Sequence, residues 1–284
     1  MKKIIIVAES GSDITREIAE RYNIQVVPMH VNFGEETLDD GTFPVQKIVD
    51  YYQSTGNLPK TSGSTPADAA KVFDEIHEKW PEAHILYLAY SAATTCSYQS
   101  AIVAAEDRDY ITIMDTKHLT VSQLAILVEV AKYIEANPEV TVEAAAKEAE
   151  RLSEKAKLFF MSDTLEFLRA GGRVSNAASM VATILNLHPV IELVDGKLMA
   201  TKKYRGKVKK VGAQMLRDYT EKYKLSKDIL YVVHIIGLSD EMKDILAETI
   251  KECGYKEVHW IQANGVITTH GGPKAFGFAG FSEL

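Results

Sequence analysis

The chain begins Met1-Lys2-Lys3-Ile4-Ile5-Ile6-Val7-Ala8, and the apolar run from Ile4 to Ala8 decides the class of fold. A short, continuous run of branched apolar residues is typical of a strand that is buried on both faces of a parallel sheet. The run is too short for the core of a signal peptide or for a transmembrane helix. We therefore expect the mature protein in the cytoplasm, without stable insertion into a membrane.

Working outward from this strand, the same succession of strand, polar loop and helix recurs through the first half of the chain. Glu9-Ser10-Gly11-Ser12-Asp13 is the first such loop, and apolar residues at helical spacing follow it. Repeated βα units of this kind predict a mostly parallel sheet flanked by helices. Further strands are predicted at residues 27–33, 85–90 and 110–114.

The pattern changes near residue 158. Asp195-Gly196 lies between two apolar runs, which predicts a tight hairpin and hence antiparallel pairing. Helices are predicted at residues 207–223 and 240–254, and strands at residues 229–236, 258–261 and 265–269. We predict an α/β protein of two domains, with residues 1–158 forming the N-terminal domain and residues 159–284 forming an α/β sandwich with a mixed or antiparallel sheet.

Charge and cysteine content limit the classes of partner. The net charge is -7, which argues against nucleic-acid binding because affinity for phosphate backbones comes from clustered Lys and Arg. Cys96 and Cys253 are the two cysteines, and they are far apart in the sequence. This spacing favours neither a disulfide framework nor a Cys-based metal site, and it suits a reducing compartment.

Two hydroxyl-rich loops follow predicted strands or precede predicted helices. They are Lys60-Thr61-Ser62-Gly63-Ser64-Thr65 and Ser91-Ala92-Ala93-Thr94-Thr95-Cys96-Ser97. Ligands of doubly wound sheets bind at the carboxyl ends of the strands, and hydroxyls beside helix N-termini can hold a carboxylate or a phosphate. The alternative is that these side chains only cap helices.

Motifs for nucleotides and for a serine nucleophile are missing from the sequence. No G-x-G-x-x-G, no G-x-x-x-x-G-K-[ST] and no G-x-S-x-G follows a strand, and no pair of histidines has metal-binding spacing. His270 is the histidine that we single out, because it precedes Gly271-Gly272. A glycine pair allows close backbone approach, so His270 could reach a ligand between the domains.

Taken together, these segments resemble the DegV family, which includes the FakB-type fatty-acid-binding subunits of bacterial fatty acid kinase. The likeness covers nearly the whole chain. It rests on Ser10-x-Ser12-Asp13, Lys60-Thr61-Ser62, Ser91 through Tyr98-Gln99-Ser100-Ala101, Asp115-Thr116, Gly171-Gly172-Arg173-Val174-Ser175, His188-Pro189-Val190, Asp195-Gly196, Arg205, and His270-Gly271-Gly272-Pro273 with Ala275 and Gly277.

The resemblance implies a binding protein without catalysis of its own and without a metal or cofactor. A long-chain fatty acid would be held by its carboxylate, and a separate ATP-dependent kinase subunit would phosphorylate it to an acyl phosphate. The implied carboxylate ligands are Thr61, Thr95 and His270, with Ser62 and Ser91 as close alternatives. Arg173 and Arg205 would dock the kinase, and the alternative for Arg173 is that it only satisfies helix-end carbonyls near Gly171-Gly172. The candidates for the acyl tunnel are apolar residues of the second domain, each of which could equally be an ordinary core residue, namely Phe159, Met161, Leu165, Leu168, Met180, Ile184, Phe276 and Phe278.

The chain departs from the family pattern at the predicted head-group site. Glu9 stands where the family has Asp, Ala92, Ala93 and Cys96 change the usual Ser/Gly-rich loop, and Lys274 takes a glycine position. Bulkier residues in place of glycine narrow the space for backbone approach to a ligand. The chain length and head group of the ligand therefore stay open.

Two other functions use the same cleft. One is an enzyme acting on a small carboxylate or phosphate, with Glu9, Asp13, Asp115 and His270 as acid, base or metal-binding groups. The other is a lipid carrier that works without a kinase. A bound metal or turnover without a partner would favour the enzyme, and a bound lipid without acyl phosphate formation would favour the carrier.

Overall fold

The structure, a computed structural model, describes residues 3–174 and 187–283. Its strands are β1 Ile4–Glu9, β2 Gln25–Val27, β3 His30–Phe33, β4 Glu36–Asp39, β5 Lys60–Ser62, β6 His84–Ala89, β7 Ile111–Asp115, β8 Ala156–Met161, β9 Leu187–Val194, β10 Lys197–Arg205, β11 Ile229–His234, β12 Glu257–Gln262 and β13 Phe276–Phe281. Its helices are α1 Arg16–Tyr22, α2 Gln46–Thr55, α3 Pro66–Lys79, α4 Ser97–Ala105, α5 Thr120–Ala136, α6 Val142–Lys155, α7 Glu166–Gly171, α8 Val208–Lys222, α9 Asp240–Glu252 and α10 Gly265–Gly271.

The predicted parallel sheet is confirmed in the first half of the chain. Its four strands lie in the order β2-β1-β6-β7, and every neighbouring pair is parallel. The middle of β1, Ile5 to Ala8, is fully buried, as expected for a strand covered on both faces. The carboxyl ends of β1 and β6 therefore bring their following loops to one edge of the sheet.

The prediction of one strand over residues 27–33 is wrong in part, because this segment forms two strands in different sheets. β2 ends at Val27 on the edge of the parallel sheet, and β3 begins at His30 in a small antiparallel sheet of order β4-β3-β5. Pro28 separates the two strands. A proline has no N–H to donate to a ladder, so pairing stops there.

The second half of the chain forms a mixed sheet of six strands in the order β10-β9-β8-β13-β11-β12. The predicted hairpin is confirmed between β9 and β10, where Asp195 and Gly196 have φ values of 46° and 76°. Positive φ at both central residues is the geometry that a two-residue hairpin turn requires. The α/β class with one parallel and one mixed sheet is thus established.

The predicted strand at residues 265–269 is wrong, because this segment forms α10. Val266, Ile267, Thr268 and Thr269 favour a strand by local propensity, but their context overrides it. The carboxylate of Asp40 accepts a hydrogen bond from the Val266 N–H at 3.0 Å, which satisfies an otherwise unpaired donor of the first turn.

The change of sheet falls at β8, which begins at Ala156. Two helices nevertheless pack across it. α5 contacts β1 of the parallel sheet as well as β8, β11 and β13 of the mixed sheet, and α10, which lies between β12 and β13 in the chain, packs against β3 and β5. The division at residue 158 therefore stays a prediction about folding units.

Candidate functional site

A cavity lies where α5, α10, the mixed sheet and the small sheet meet. Concave sites between packed elements, with apolar walls and a few polar groups, are typical of small-molecule binding. One part of its wall is polar, formed by Thr61, Ser62, Thr94, Thr95, Thr120, Arg173 and His270. The remainder is mostly apolar and includes Leu119, Leu158, Phe160, Leu168, Leu198, Val233, Ile235 and Ala275.

Thr61 and His270 form the centre of the polar wall. The Oγ1 atom of Thr61, on β5, lies 2.8 Å from Nε2 of His270, near the end of α10, although the two residues are far apart in sequence. Desolvation, with a smaller contribution from the charge of Arg173, lowers the pKa of His270 to about 4. The imidazole is therefore neutral at neutral pH.

The surroundings of the imidazole decide which nitrogen carries the proton. Nδ1 is buried and has no hydrogen-bond partner among the residues that the structure describes. It faces Gly171, where an added Cβ would lie only 2.2 Å from Nδ1. Since a buried N–H without a partner is rare, we assign the proton to Nε2, which donates to Thr61 Oγ1. The Thr61 hydroxyl is then free to donate to a ligand.

The second hydroxyl loop adds Thr94 and Thr95 to the same wall. Thr95 Oγ1 lies 3.0 Å from Ser97 Oγ, and Ser97 Oγ in turn accepts a hydrogen bond from the Ser64 N–H at 3.0 Å. Gly63 makes this close approach possible, because a Cβ there would lie 2.6 Å from Thr95 Oγ1. The structure thus brings the predicted Thr61, Ser62, Thr95 and His270 to one wall.

Ser91 does not belong to this group. Its side chain is fully buried, and its hydroxyl donates to the Gly196 carbonyl at 2.7 Å. This hydrogen bond attaches the loop that carries Thr95 to the β9–β10 turn, so the Ser91 hydroxyl does not face the described cavity. This places Ser91 outside the wall that we predicted for it.

The predicted acyl-tunnel residues divide between the cavity and the core behind the mixed sheet. Leu168, on α7, lines the cavity. Phe159, Met161 and Phe278 pack in a core on the opposite face of the sheet, against α8 and α9, and Phe276 belongs to this core while also bordering the cavity. The reason is strand alternation: Leu158 and Phe160 of β8 point into the cavity, so their neighbours point away. Leu165 packs against the main core, while Met180 and Ile184 lie outside the described residues.

Two carboxylates that the sequence placed in the first loop lie behind the cavity wall. Asp13 Oδ2 lies 2.5 Å from the hydroxyl oxygen of Thr120, and burial raises the pKa of Asp13 to about 8. Glu9 Oε2 accepts from the Tyr90 N–H at 2.8 Å, and burial raises the pKa of Glu9 to about 7. Sequence reasoning missed Thr120 and Tyr90 as lining residues, because their role depends on pairing with distant parts of the chain.

The two arginines predicted to dock a kinase have different settings. Arg173 borders the cavity, and its Nη1 donates to the Gly171 carbonyl at 2.7 Å. This contact satisfies a carbonyl at the end of α7, which agrees with the alternative interpretation of Arg173. Arg205 is exposed at the end of β10, the edge strand of the mixed sheet. Neither arrangement shows whether a kinase binds there, so docking of a kinase at these arginines stays a prediction.

Lys274, which takes a glycine position of the family pattern, points away from the polar wall. It has a φ of 64°, and its Nζ lies 3.6 Å from Oδ2 of Asp163. Asp115, the remaining carboxylate of the rival hypothesis, accepts hydrogen bonds from the N–H groups of Ala92 and Lys117. The described contacts of Lys274 and Asp115 are therefore with groups outside the polar wall.

Two further features are missing from the described segments. Within residues 3–174 and 187–283, none of the helices combines the length and the apolar character that a bilayer span requires. The same residues contain no group of three His, Cys, Asp or Glu side chains arranged to hold a metal ion.

Comparison with known proteins gives one consistent set of matches. A family model described as "Uncharacterised protein, DegV family" matches residues 3–283. A DegV domain-containing protein of Caldanaerobacter subterraneus is 26% identical over 289 residues, covering 98% of each chain. A fatty acid-binding protein of Thermotoga maritima is 25% identical over 290 residues, covering 97% of this chain and 96% of the other. A solved DegV family protein of Thermus thermophilus, described by its fatty acid binding, superposes with a TM-score of 0.88 at 26% identity over 99% of each chain.

Proposed function

This chain belongs to the DegV family, and on that premise we propose that it binds a long-chain fatty acid in the cavity between its sheets. The observation that carries the proposal is the division of the cavity wall into a polar end with Thr61, Thr95 and His270 and a larger apolar part. Similar proteins of Thermotoga maritima and Thermus thermophilus are described as binding fatty acids.

The polar end suits a carboxylate. The hydroxyls of Thr61, Ser62 and Thr95 can each donate a hydrogen bond to a carboxylate oxygen, and none of these groups carries a charge. Hydroxyls bind the head without forming a bidentate ion pair, and Arg173, which borders the same wall, donates through Nη1 to the Gly171 carbonyl. Hydrogen bonds to a charged group contribute about 1.5–3 kcal/mol each.

The apolar part suits the tail. Burying about 14 methylenes at roughly 0.8 kcal/mol each gives on the order of 11 kcal/mol before the costs of ordering the chain and the ligand. Leu158, Phe160, Leu198 and Val233 would contact the tail. Affinity then depends mainly on the tail, while the orientation of the ligand depends on the head-group contacts.

The finer part of the proposal is that the protein presents the carboxylate to a separate kinase in the cytoplasm of a bacterium. A carboxylate oxygen would attack the γ-phosphorus of ATP on that kinase, the bond to ADP would break, and an acyl phosphate would remain in the cavity. Arg173 and Arg205 are the proposed docking contacts, since Arg173 borders the cavity and Arg205 is exposed. No cofactor is needed on this chain, whose role is to bind and orient.

The rival enzyme has less support in the geometry. Its proposed acid and base groups Glu9, Asp13 and Asp115 each accept a hydrogen bond from a backbone N–H behind the wall, rather than converging on one point of the cavity. A general acid or base has to reach the proton that it transfers. A carrier that works without a kinase would use the same binding site.

Calorimetric titration with hexadecanoic acid and hexadecan-1-ol, which differ only in the head group, tests the binding proposal. We expect Thr61→Val to weaken binding of the acid by at least about tenfold, the loss of one hydrogen bond to a charged group. The alcohol should lose much less. Thr37→Val is the matched control, because Thr37 lies on the same small sheet with an exposed side chain. An unchanged acid-to-alcohol preference in Thr61→Val would contradict the proposed site.

A further inference from the structure

Thr120 is an unusual residue of the cavity wall. It begins α5, is 3% exposed and has a φ of 45°. A β-branched residue in the left-handed region is a conformational outlier, and such strain costs about 1–3 kcal/mol unless the surroundings impose it. The fold thus holds the Thr120 hydroxyl at a fixed place beside the cavity.

Asp13 is the surrounding group that engages this hydroxyl. Its Oδ2 lies 2.5 Å from Thr120 Oγ1, and its Oδ1 accepts from the Asn264 N–H at 2.7 Å. Asn264 immediately precedes α10, whose other end carries His270. One buried carboxyl group therefore joins two parts of the wall that would hold the ligand head.

Among the residues that the structure describes, the charge that acts on Asp13 comes from a carboxylate, and no cation compensates it. The carboxylate of Asp40, in the loop before α2, repels a negative charge on Asp13. Asp40 is itself buried, as are Tyr90 at the end of β6 and Glu9 at the end of β1. Thr120 on α5 and the Asn264 N–H offer neutral partners. Burial, with the Asp40 charge, raises the pKa of Asp13 to about 8. Asp13 is therefore mainly uncharged at neutral pH.

We propose that Asp13 is a positioning residue for the ligand head, which acts by donating its carboxyl proton to the Thr120 hydroxyl. The Thr120 oxygen accepts this proton in a hydrogen bond and turns its own O–H towards the cavity, where it donates to the ligand carboxylate. This inference rests on the proposed fatty-acid function. When Asp13 loses its proton, Thr120 has to donate to the aspartate instead, and a second negative charge then stands behind the ligand head.

A pH dependence of binding follows. The wild type should bind a fatty acid best below the pKa of Asp13 and lose affinity above it. If the ionised form binds weakly, the Kd rises about tenfold at one pH unit above that pKa. His270 does not contribute to this change, since its own pKa of about 4 lies well below this pH range.

Asp13→Asn provides a sharp test, because it imitates the uncharged acid. The amide oxygen can accept from the Asn264 N–H, and the amide nitrogen can donate to Thr120. We expect this variant to bind hexadecanoic acid like the wild type at about pH 6 and to keep that affinity at about pH 9, where the wild type has lost about tenfold. The ratio of the Kd values of the two proteins at each pH is independent of the ionisation of the ligand, because both proteins bind the same ligand.

Two further variants separate this role from a structural one. Thr120→Val removes the hydroxyl and should weaken acid binding at about pH 6 and reduce the pH-dependent loss to the part that comes from the Asp13 charge, and it provides the test if Asp13→Asn does not fold. Glu9→Gln is the matched control, since Glu9 lies in the same loop with a raised pKa, and this variant should keep the pH dependence.

The outcomes are distinguishable. A wild type that binds no hexadecanoic acid at about pH 6 would refute the proposed function itself. A wild type that binds the acid with the same pH profile as Asp13→Asn would overturn only the inference about Asp13, as would a Glu9→Gln variant that abolishes the pH dependence.

Discussion

Gly171→Ala is predicted to disable the head-group site through one methyl group. Gly171 is the last residue of α7 and is not among the glycines with positive φ, so alanine suits its backbone and improves helix propensity by roughly 0.5–1 kcal/mol. Its new Cβ, however, would lie 2.2 Å from Nδ1 and 3.1 Å from Cε1 of His270, far inside van der Waals contact. The imidazole has to move, and the 2.8 Å contact with Thr61 is lost.

The expected magnitude follows from the hydrogen bonds at stake. Losing the ordered His270–Thr61 pair should cost about 1.5–3 kcal/mol of binding free energy for a carboxylate ligand, which is roughly a 10- to 150-fold weaker Kd. An uncharged hexadecan-1-ol should lose only about 0.5–1.5 kcal/mol, because neutral hydrogen bonds contribute less. Calorimetric titration of both ligands measures the difference.

Gly172→Ala is the matched control, since it adds the same methyl group one residue later. Gly172 has a φ of 63°, and no atom among the described residues lies within 4 Å of the place that an added Cβ would take. This variant should lose stability through backbone strain of about 1 kcal/mol but keep the preference for the acid. Equal acid-to-alcohol preference in wild type and Gly171→Ala would refute the assignment of His270 to the head-group site.

The remaining predictions concern the two faces of β8 and one buried histidine. Phe160→Ala should weaken binding of both hexadecanoic acid and its alcohol, whereas Phe159→Ala, in the core on the opposite face, should lower the free energy of unfolding by about 3–5 kcal/mol, measured by denaturant titration. Burial lowers the pKa of His118 from 6.5 to about 4, so its contribution to stability is present above pH 6.5 and is lost as the pH falls towards 4. His118→Leu should remove that contribution, about 3 kcal/mol, from the pH dependence of unfolding, and an unchanged slope between wild type and variant would contradict it.

Local pattern was sufficient to predict the parallel sheet and the hairpin. The apolar run from Ile4 to Ala8 and the Asp195-Gly196 turn each carry their own signal, since burial on both faces and positive φ restrict residue type directly. The family resemblance, rather than periodicity, identified Thr61 and His270, which the fold brings within hydrogen-bond distance.

Phe159, Met161 and Phe278 pack away from the described cavity for a reason that the strand pattern contains. Adjacent residues of a strand face opposite sides, so Leu158 and Phe160 could not share a wall with Phe159 and Met161. Treating all of them as tunnel candidates ignored this alternation. The sequence alone, however, does not say which of the two faces carries the ligand.

Two other features were not accessible from local sequence. α10 has the composition of a strand, and it becomes helical because Asp40 and Asp13 receive N–H groups at its start from more than 200 residues away in the chain. The contact of Asp13 with Thr120 likewise spans 107 residues. Pairings at this distance depend on the assembled fold, and no spacing rule anticipates them.

The most direct test of the central claim is mass spectrometry of whatever denaturing extraction releases from the purified protein. We predict about one long-chain fatty acid per chain, held in the cavity between the sheets, and a reduced amount from Thr61→Val prepared in parallel. If the wild type releases no lipid and also fails to bind added hexadecanoic acid, the cavity is not a fatty-acid site and the proposed function is wrong.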